Sequence, residues 1–97
     1  MILSFQNQGT EDIFNRRSTK AARKLCPKAI WRIAQRKLDQ LNASVSLTSL
    51  AIPPGNHLEA LSRDRQGQHS IRINDQYRVC FQWTDEGAEG VEIVDYH

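Results

Sequence analysis

The sequence predicts a single α+β domain over residues 1–97, a small antiparallel meander sheet with N-terminal helices packed on one face. Three observations predict it. In the first half, Ile30, Ala34, Leu38 and Leu41 recur at i, i+4, i+8 and i+11, the spacing of one helical stripe. Ile52-Pro53-Pro54-Gly55-Asn56 then breaks the chain, because Pro-Pro forbids continued helix and Gly-Asn favours a turn. Beyond it the period falls to two. Ile71 and Ile73, then Tyr77, Val79, Phe81 and Trp83, alternate with other residues along the chain.

Taken in order, Ile2-Leu3-Ser4-Phe5 reads as a short strand bounded by the polar Gln6-Asn7-Gln8-Gly9. Thr10 is expected to cap a short helix running towards Arg17, with Glu11 and Asp12 in its first turn, where the helix dipole favours acids. Pro27 suits the first position of a helix over 27–43, with Trp31 and Ile33 flanking its apolar stripe and Arg32, Arg36, Lys37 and Asp39 behind it. Ser46 is a cap for a further turn that sets Leu47 and Leu50 on one side. After the Pro-Pro break, Leu58 and Leu61 mark a short, irregular strand. The segments 70–73 and 77–83 then pair across Asn74-Asp75-Gln76, and 91–96 closes the meander after Asp85-Glu86-Gly87. Alternation leaves Arg72, Asn74, Arg78, Cys80, Gln82 and Thr84 on the face away from the core.

Composition narrows the class. At 39% hydrophobic and 25% charged, the chain is neither disordered nor fibrous. No apolar run approaches the roughly 18 residues of a membrane span, and no signal-peptide core follows Met1, so a cytoplasmic location is expected. Cys26 and Cys80 lack metal spacing and are expected to be reduced and buried. The net charge of +2 hides an asymmetry: residues 1–46 carry nine Lys/Arg against three Asp/Glu, and residues 47–97 carry four against eight. Arg16, Arg17, Lys20, Arg23, Lys24 and Lys28 crowd into thirteen residues without an acid. Such a segment is a solvated basic helix–loop surface, or it meets a polyanion, or it is a flexible segment ordered only by a partner.

The closing strand ends in Asp95-Tyr96-His97, three residues that each hold or move a proton. Pairing of Val91 to Val94 into a sheet would hold them on a rigid rim beside Arg72 and Arg78. Each also has an ordinary reading: a solvated end for His97, a turn cap for Asp95, a core-edge cover for Tyr96 and a surface arginine for Arg78. His57, His69 and His97 have no metal-ligand spacing, so neither metal nor other cofactor is implied.

With these residues assembled, the chain resembles the HigB branch of the RelE/ParE toxin superfamily, from bacterial type II toxin–antitoxin pairs. The resemblance rests on Met1-Ile2-Leu3-Ser4-Phe5, the Leu58–Gly67 segment, the block from Ser70 to Phe81 and the closing Val94-Asp95-Tyr96-His97. The Pro-Pro-Gly-Asn-His-Leu-Glu-Ala-Leu run is similar to the GraT-like subgroup. It implies a ribosome-dependent mRNA endonuclease, monomeric by itself, that a helix-turn-helix HigA-like antitoxin neutralises in a heterotetramer. Arg78, Asp95, Tyr96 and His97 match positions that the family uses in or around its cleft. Where many members carry His-Pro-Leu-Lys, this chain has Glu59-Ala60-Leu61-Ser62. Either Glu59 and the nearby His57 serve in their place, or cleavage is weaker.

Metal-free RNA cleavage requires a base for the 2′-OH, a cation for the charge on phosphorus and an acid for the leaving 5′-oxygen. On this reading His97 transfers the proton, Asp95 orients it or is itself the base, and Arg78 clamps the phosphate through its planar fork. Tyr96 donates to the phosphate or stacks on a base, and Arg65 and Arg72 add backbone contacts. Two rivals stand beside it: a gyrase poison like the ParE branch, and an RNA- or protein-binding module with a degenerate site.

Overall fold

The structure is a computed structural model, and it describes residues 1–96. The helices are α1 (Gln8–Phe14), α2 (Lys20–Leu25) and α3 (Trp31–Ala43). The strands are β1 (Glu59–Ala60), β2 (His69–Arg72), β3 (Tyr77–Thr84) and β4 (Gly87–Asp95), in one antiparallel sheet of order β1-β2-β3-β4. The α+β meander is as the hydrophobic periods predict. Ile13, Ala22, Trp31, Ala34, Leu38 and Leu41 from the helices meet Ile71, Val79, Phe81, Val91 and Ile93 from the sheet in one core.

Two helix starts differ from the sequence reading. Asn7, not Thr10, caps α1, its side chain accepting from the Thr10 N–H at 2.9 Å. Thr10 lies inside the helix, fully buried, and its hydroxyl accepts the Ile93 N–H at 3.1 Å, tying α1 to β4. The helix expected over 27–43 begins with a 3-10 turn, Lys28–Ile30, and turns α-helical only at Trp31. Trp31 therefore takes the core position expected of Ile30, and its indole N–H donates to the Cys26 carbonyl at 3.1 Å. Ile30 is only half-buried. Both cysteines are buried and unbridged.

The basic stretch forms α2, capped by Thr19, whose hydroxyl accepts from the Ala22 N–H and donates to the buried Asp12 carboxylate. The Ile2–Phe5 strand is reduced to two parallel bridges along the free edge of β4, Ile2 to Ala88 and Phe5 to Val91. Gly87 permits this approach, since a Cβ there would lie 2.2 Å from the Met1 carbonyl oxygen.

A bulge in β4 decides what faces outward. Cys80 opposes Glu92 and Gln82 opposes Glu89, so Gly90 and Val91 share the place opposite Phe81. Gly90 takes the left-handed backbone (φ +62°) that this insertion needs. Val91 goes into the core, while Glu89 and Glu92 turn to the outer face.

Candidate active site

Strand register assembles the outer face in rows. Glu59 opposes Ser70, Ser70 opposes Cys80 and Cys80 opposes Glu92, so these four side chains cross the sheet in one line. Arg72, Arg78 and Val94 form the next row. Tyr96 has the parity of Glu92 and Val94 and is exposed, and its N–H extends the pairing by donating to the Gln76 carbonyl at 2.6 Å.

Arg78 differs from the free clamp expected of it. Its Nε donates to Ser70 Oγ at 2.7 Å, and one Nη donates to the carbonyls of His57 and Ser70. The same nitrogen stands 3.4 Å from Glu59 Oε1. The side chain is only 11% exposed, so its fork is engaged by the protein and braces the His57–Glu59 wall. His57 contributes through its carbonyl, at a left-handed residue that closes the turn Pro54–Asn56.

At the other end of the row the expected phosphate contact Arg65 is paired with Glu92, an acid that sequence reasoning did not pick out. Arg65, from the 3-10 turn Arg63–Arg65, donates to Glu92 Oε1 at 2.7 Å and to Gln68 Oε1 at 3.2 Å. The Glu92 hydrogen bond raises the Arg65 pKa above its ordinary value, with the Cys80 and Tyr96 side chains within electrostatic range. Alternation between Val91 and Ile93 sends Glu92 to the outer face, but only the register across the bulge sets it opposite Cys80. Between the two arginine–glutamate pairs lies Cys80, fully buried although it points outward. Burial pushes its thiol up to about 11, against the opposing pull of Arg65.

Asp95 does not join this face. It opposes Tyr77, whose side chain lies in the core, and its exposed carboxylate accepts from Gln76 Nε2 at 3.0 Å. The expected rim is therefore split by strand alternation, with Tyr96 on the arginine side and Asp95 on the other. His97 lies outside the described residues. Arg72 sits on the arginine side, paired with the fully exposed Asp75.

The basic residues of the 16–28 segment are unequal. Arg16 is held by Asp39 at 2.7 Å and by the Phe14 carbonyl, a surface pair worth at most about 1 kcal/mol. Arg17 stands 4.0 Å from Asp12. Lys20, Arg23 and Lys24 are exposed along α2. An apolar hollow elsewhere, lined by Gln40, Ala43, Val45, Leu50, Pro53 and Asn56 among others, gathers no acid–base group. No helix among the described residues is long and apolar enough to cross a membrane.

The outer face thus offers the held guanidinium groups of Arg65 and Arg78, the carboxylates of Glu59 and Glu92 and the exposed phenol of Tyr96 on one sheet. That set suits a phosphodiester. Comparison with known proteins supplies the family. The family model described as the RelE-like toxin of type II toxin–antitoxin system HigB matches residues 3–97. The chain is 38% identical over 85 residues to Toxin HigB-1 of Vibrio cholerae serotype O1, covering 88% of this chain and 86% of that one. It is 39% identical over 57 residues to an uncharacterized protein of Haemophilus influenzae, covering 59% of this chain and 56% of that one. The chain belongs to the HigB-like family of RelE-like toxins of type II toxin–antitoxin systems.

Proposed function

We propose that this toxin is a ribosome-dependent mRNA endonuclease that inhibits translation and growth by metal-free attack of a 2′-OH on the adjacent phosphorus. The observation that carries the proposal is the outer face of the sheet, where Arg65 and Arg78 are fixed by Glu92, Ser70 and the His57 carbonyl beside an exposed Tyr96. A site that holds cations without flexible linkers suits charge developing on a phosphate, because no reorganisation is needed at the moment of reaction.

In this mechanism a base removes the 2′-OH proton and the oxygen attacks phosphorus. The bond to the 5′-oxygen breaks, and an acid protonates that oxygen. The products are a 2′,3′-cyclic phosphate and a 5′-OH. His97 serves as the proton-transfer group, as the family resemblance implies, and Tyr96 donates to the phosphate or stacks on a base. Arg65, 31% exposed, is the cation nearest the phosphate, while Arg78 positions the opposite wall. Glu59, 53% exposed, is the second acid–base group in the place of the family histidine. Arg72, together with Arg17, Lys20, Arg23 and Lys24, meets RNA phosphates outside the cleft.

The protein works in the cytoplasm, monomeric by itself, and its helix-turn-helix antitoxin takes it into a heterotetramer. Induction of the toxin in cells, followed by mapping of transcript ends, tests the reading. Cuts clustered within translated reading frames, abolished by His97→Ala in a variant that still binds antitoxin, are expected. DNA breaks with intact transcripts would favour the gyrase-poison rival instead.

A further inference from the structure

The Asn56–His57 turn is held by two cations, Lys37 of α3 and Arg78 of β3. Lys37 of α3 donates its ammonium to the side-chain oxygen of Asn56 at 2.5 Å. Asn56 is fully buried, and its amide nitrogen is held by Gln40 Oε1 at 3.1 Å and the Leu50 carbonyl at 3.0 Å. The next residue, His57, is held through its carbonyl by Arg78, the register partner of Arg72. The Asn56–His57 dipeptide is therefore gripped by Lys37 from one side and Arg78 from the other, and Arg36 and Arg72 both lie within electrostatic range of Lys37.

The arrangement is not neutralised. Among the described residues no carboxylate pairs with Lys37 or Arg36, and Arg72 has only Asp75, which is fully exposed. Burial, then the like charges of Arg36 and Arg72, lowers the Lys37 pKa, so the fold keeps this corner at a cost. An anion drawn to this corner would offset the like-charge repulsion around Lys37.

We propose that Arg36, Lys37 and Arg72 form a phosphate-binding corner that carries the RNA backbone out of the cleft, across the Asn56–His57 turn and onto α3. The corner rests on the RNA-cleavage reading and extends it to the strand's path. Its continuity with Arg78 favours a polyanion running along the surface over an acidic patch of a protein partner.

Binding of a short single-stranded RNA blocked by 2′-O-methylation, followed by fluorescence anisotropy across a salt series, tests the corner. Arg36→Gln removes an exposed charge, and Lys37→Gln keeps a donor for Asn56; thermal unfolding checks both folds. Each lost phosphate contact is expected to lower the slope of log K against log salt by about 0.7, so the double variant loses ~1.4. Should Lys37→Gln unfold, the Arg36→Gln slope alone decides. A double variant with the parent's slope, beside an Arg65→Gln variant that binds less well, would overturn the corner and leave the RNA reading standing. Loss of antitoxin binding with RNA binding intact would also overturn it, assigning the corner to the protein partner. Absence of salt-dependent RNA binding by the parent would remove the corner and the RNA reading together.

Discussion

Replacing Arg78 separates a brace from a clamp. The guanidinium makes two close hydrogen bonds, to Ser70 Oγ and the His57 carbonyl, and a longer one to the Ser70 carbonyl. Charge-assisted bonds of this kind contribute about 1.5–3 kcal/mol each. The Glu59 pair adds little, because that carboxylate is 53% exposed and screened. Arg78→Ala also strands the fully buried Ser70 hydroxyl. The expected loss is about 3–5 kcal/mol, a large share of the ~5–15 kcal/mol that holds a domain of this size together. Arg78→Lys keeps the charge but reaches one acceptor, and should lose roughly half as much. Glu59→Gln should cost less than about 1 kcal/mol. Urea unfolding of the three variants gives the comparison. If Arg78→Ala costs under about 1 kcal/mol, the fork is not engaged by the protein, and Arg78 is free to clamp phosphate as the sequence alone suggests.

Two further outcomes follow from buried groups. Thr10→Val should lose about 1–3 kcal/mol in urea unfolding, because the buried Ile93 N–H then has no acceptor; an unchanged midpoint would show that α1 is not tied to β4 this way. Cys26 and Cys80 are both raised by burial to about 11 from an ordinary 9.0, so the unfolded chain loses those protons first. Their stabilising effect is complete below about pH 9 and is lost as pH rises towards 11, by up to about 2–3 kcal/mol per thiol. Cys80→Ala should flatten that alkaline decline, measured by denaturation across pH 8 to about 11; the parent's slope in the variant would contradict the assignment.

What could be read from the sequence was what repeats. The switch of hydrophobic period at Pro53-Pro54 places the helices before the sheet, and alternation from Ile71 to Phe81 sets the core face and puts Arg72 and Arg78 opposite it. Features that depend on one partner far along the chain were not legible. Asn7 and Thr10 are both good caps in composition, and only the Ile93 N–H waiting at Thr10 decides between them. Gly90 carries no local mark of a bulge, yet the bulge determines that Glu92 meets Cys80 and holds Arg65. A run such as Val94-Asp95-Tyr96 looks like one reactive rim when written as letters, but the pleat sends Asp95 and Tyr96 to opposite faces. Alternation puts Arg78 on the outer face, while its engagement by His57 and Ser70 depends on a turn that only the fold brings near.

The central claim is that the outer face of this sheet cleaves RNA by 2′-OH attack. Its most direct test is end-group analysis of an mRNA incubated with the purified toxin and translating ribosomes. The mechanism predicts upstream fragments that end in a 2′,3′-cyclic or 3′-phosphate and downstream fragments that begin with a 5′-OH, with the yield cut on the order of 10²–10⁴-fold by His97→Ala. Fragments with a 3′-OH and a 5′-phosphate, or an mRNA left whole under conditions that stop growth, would contradict it.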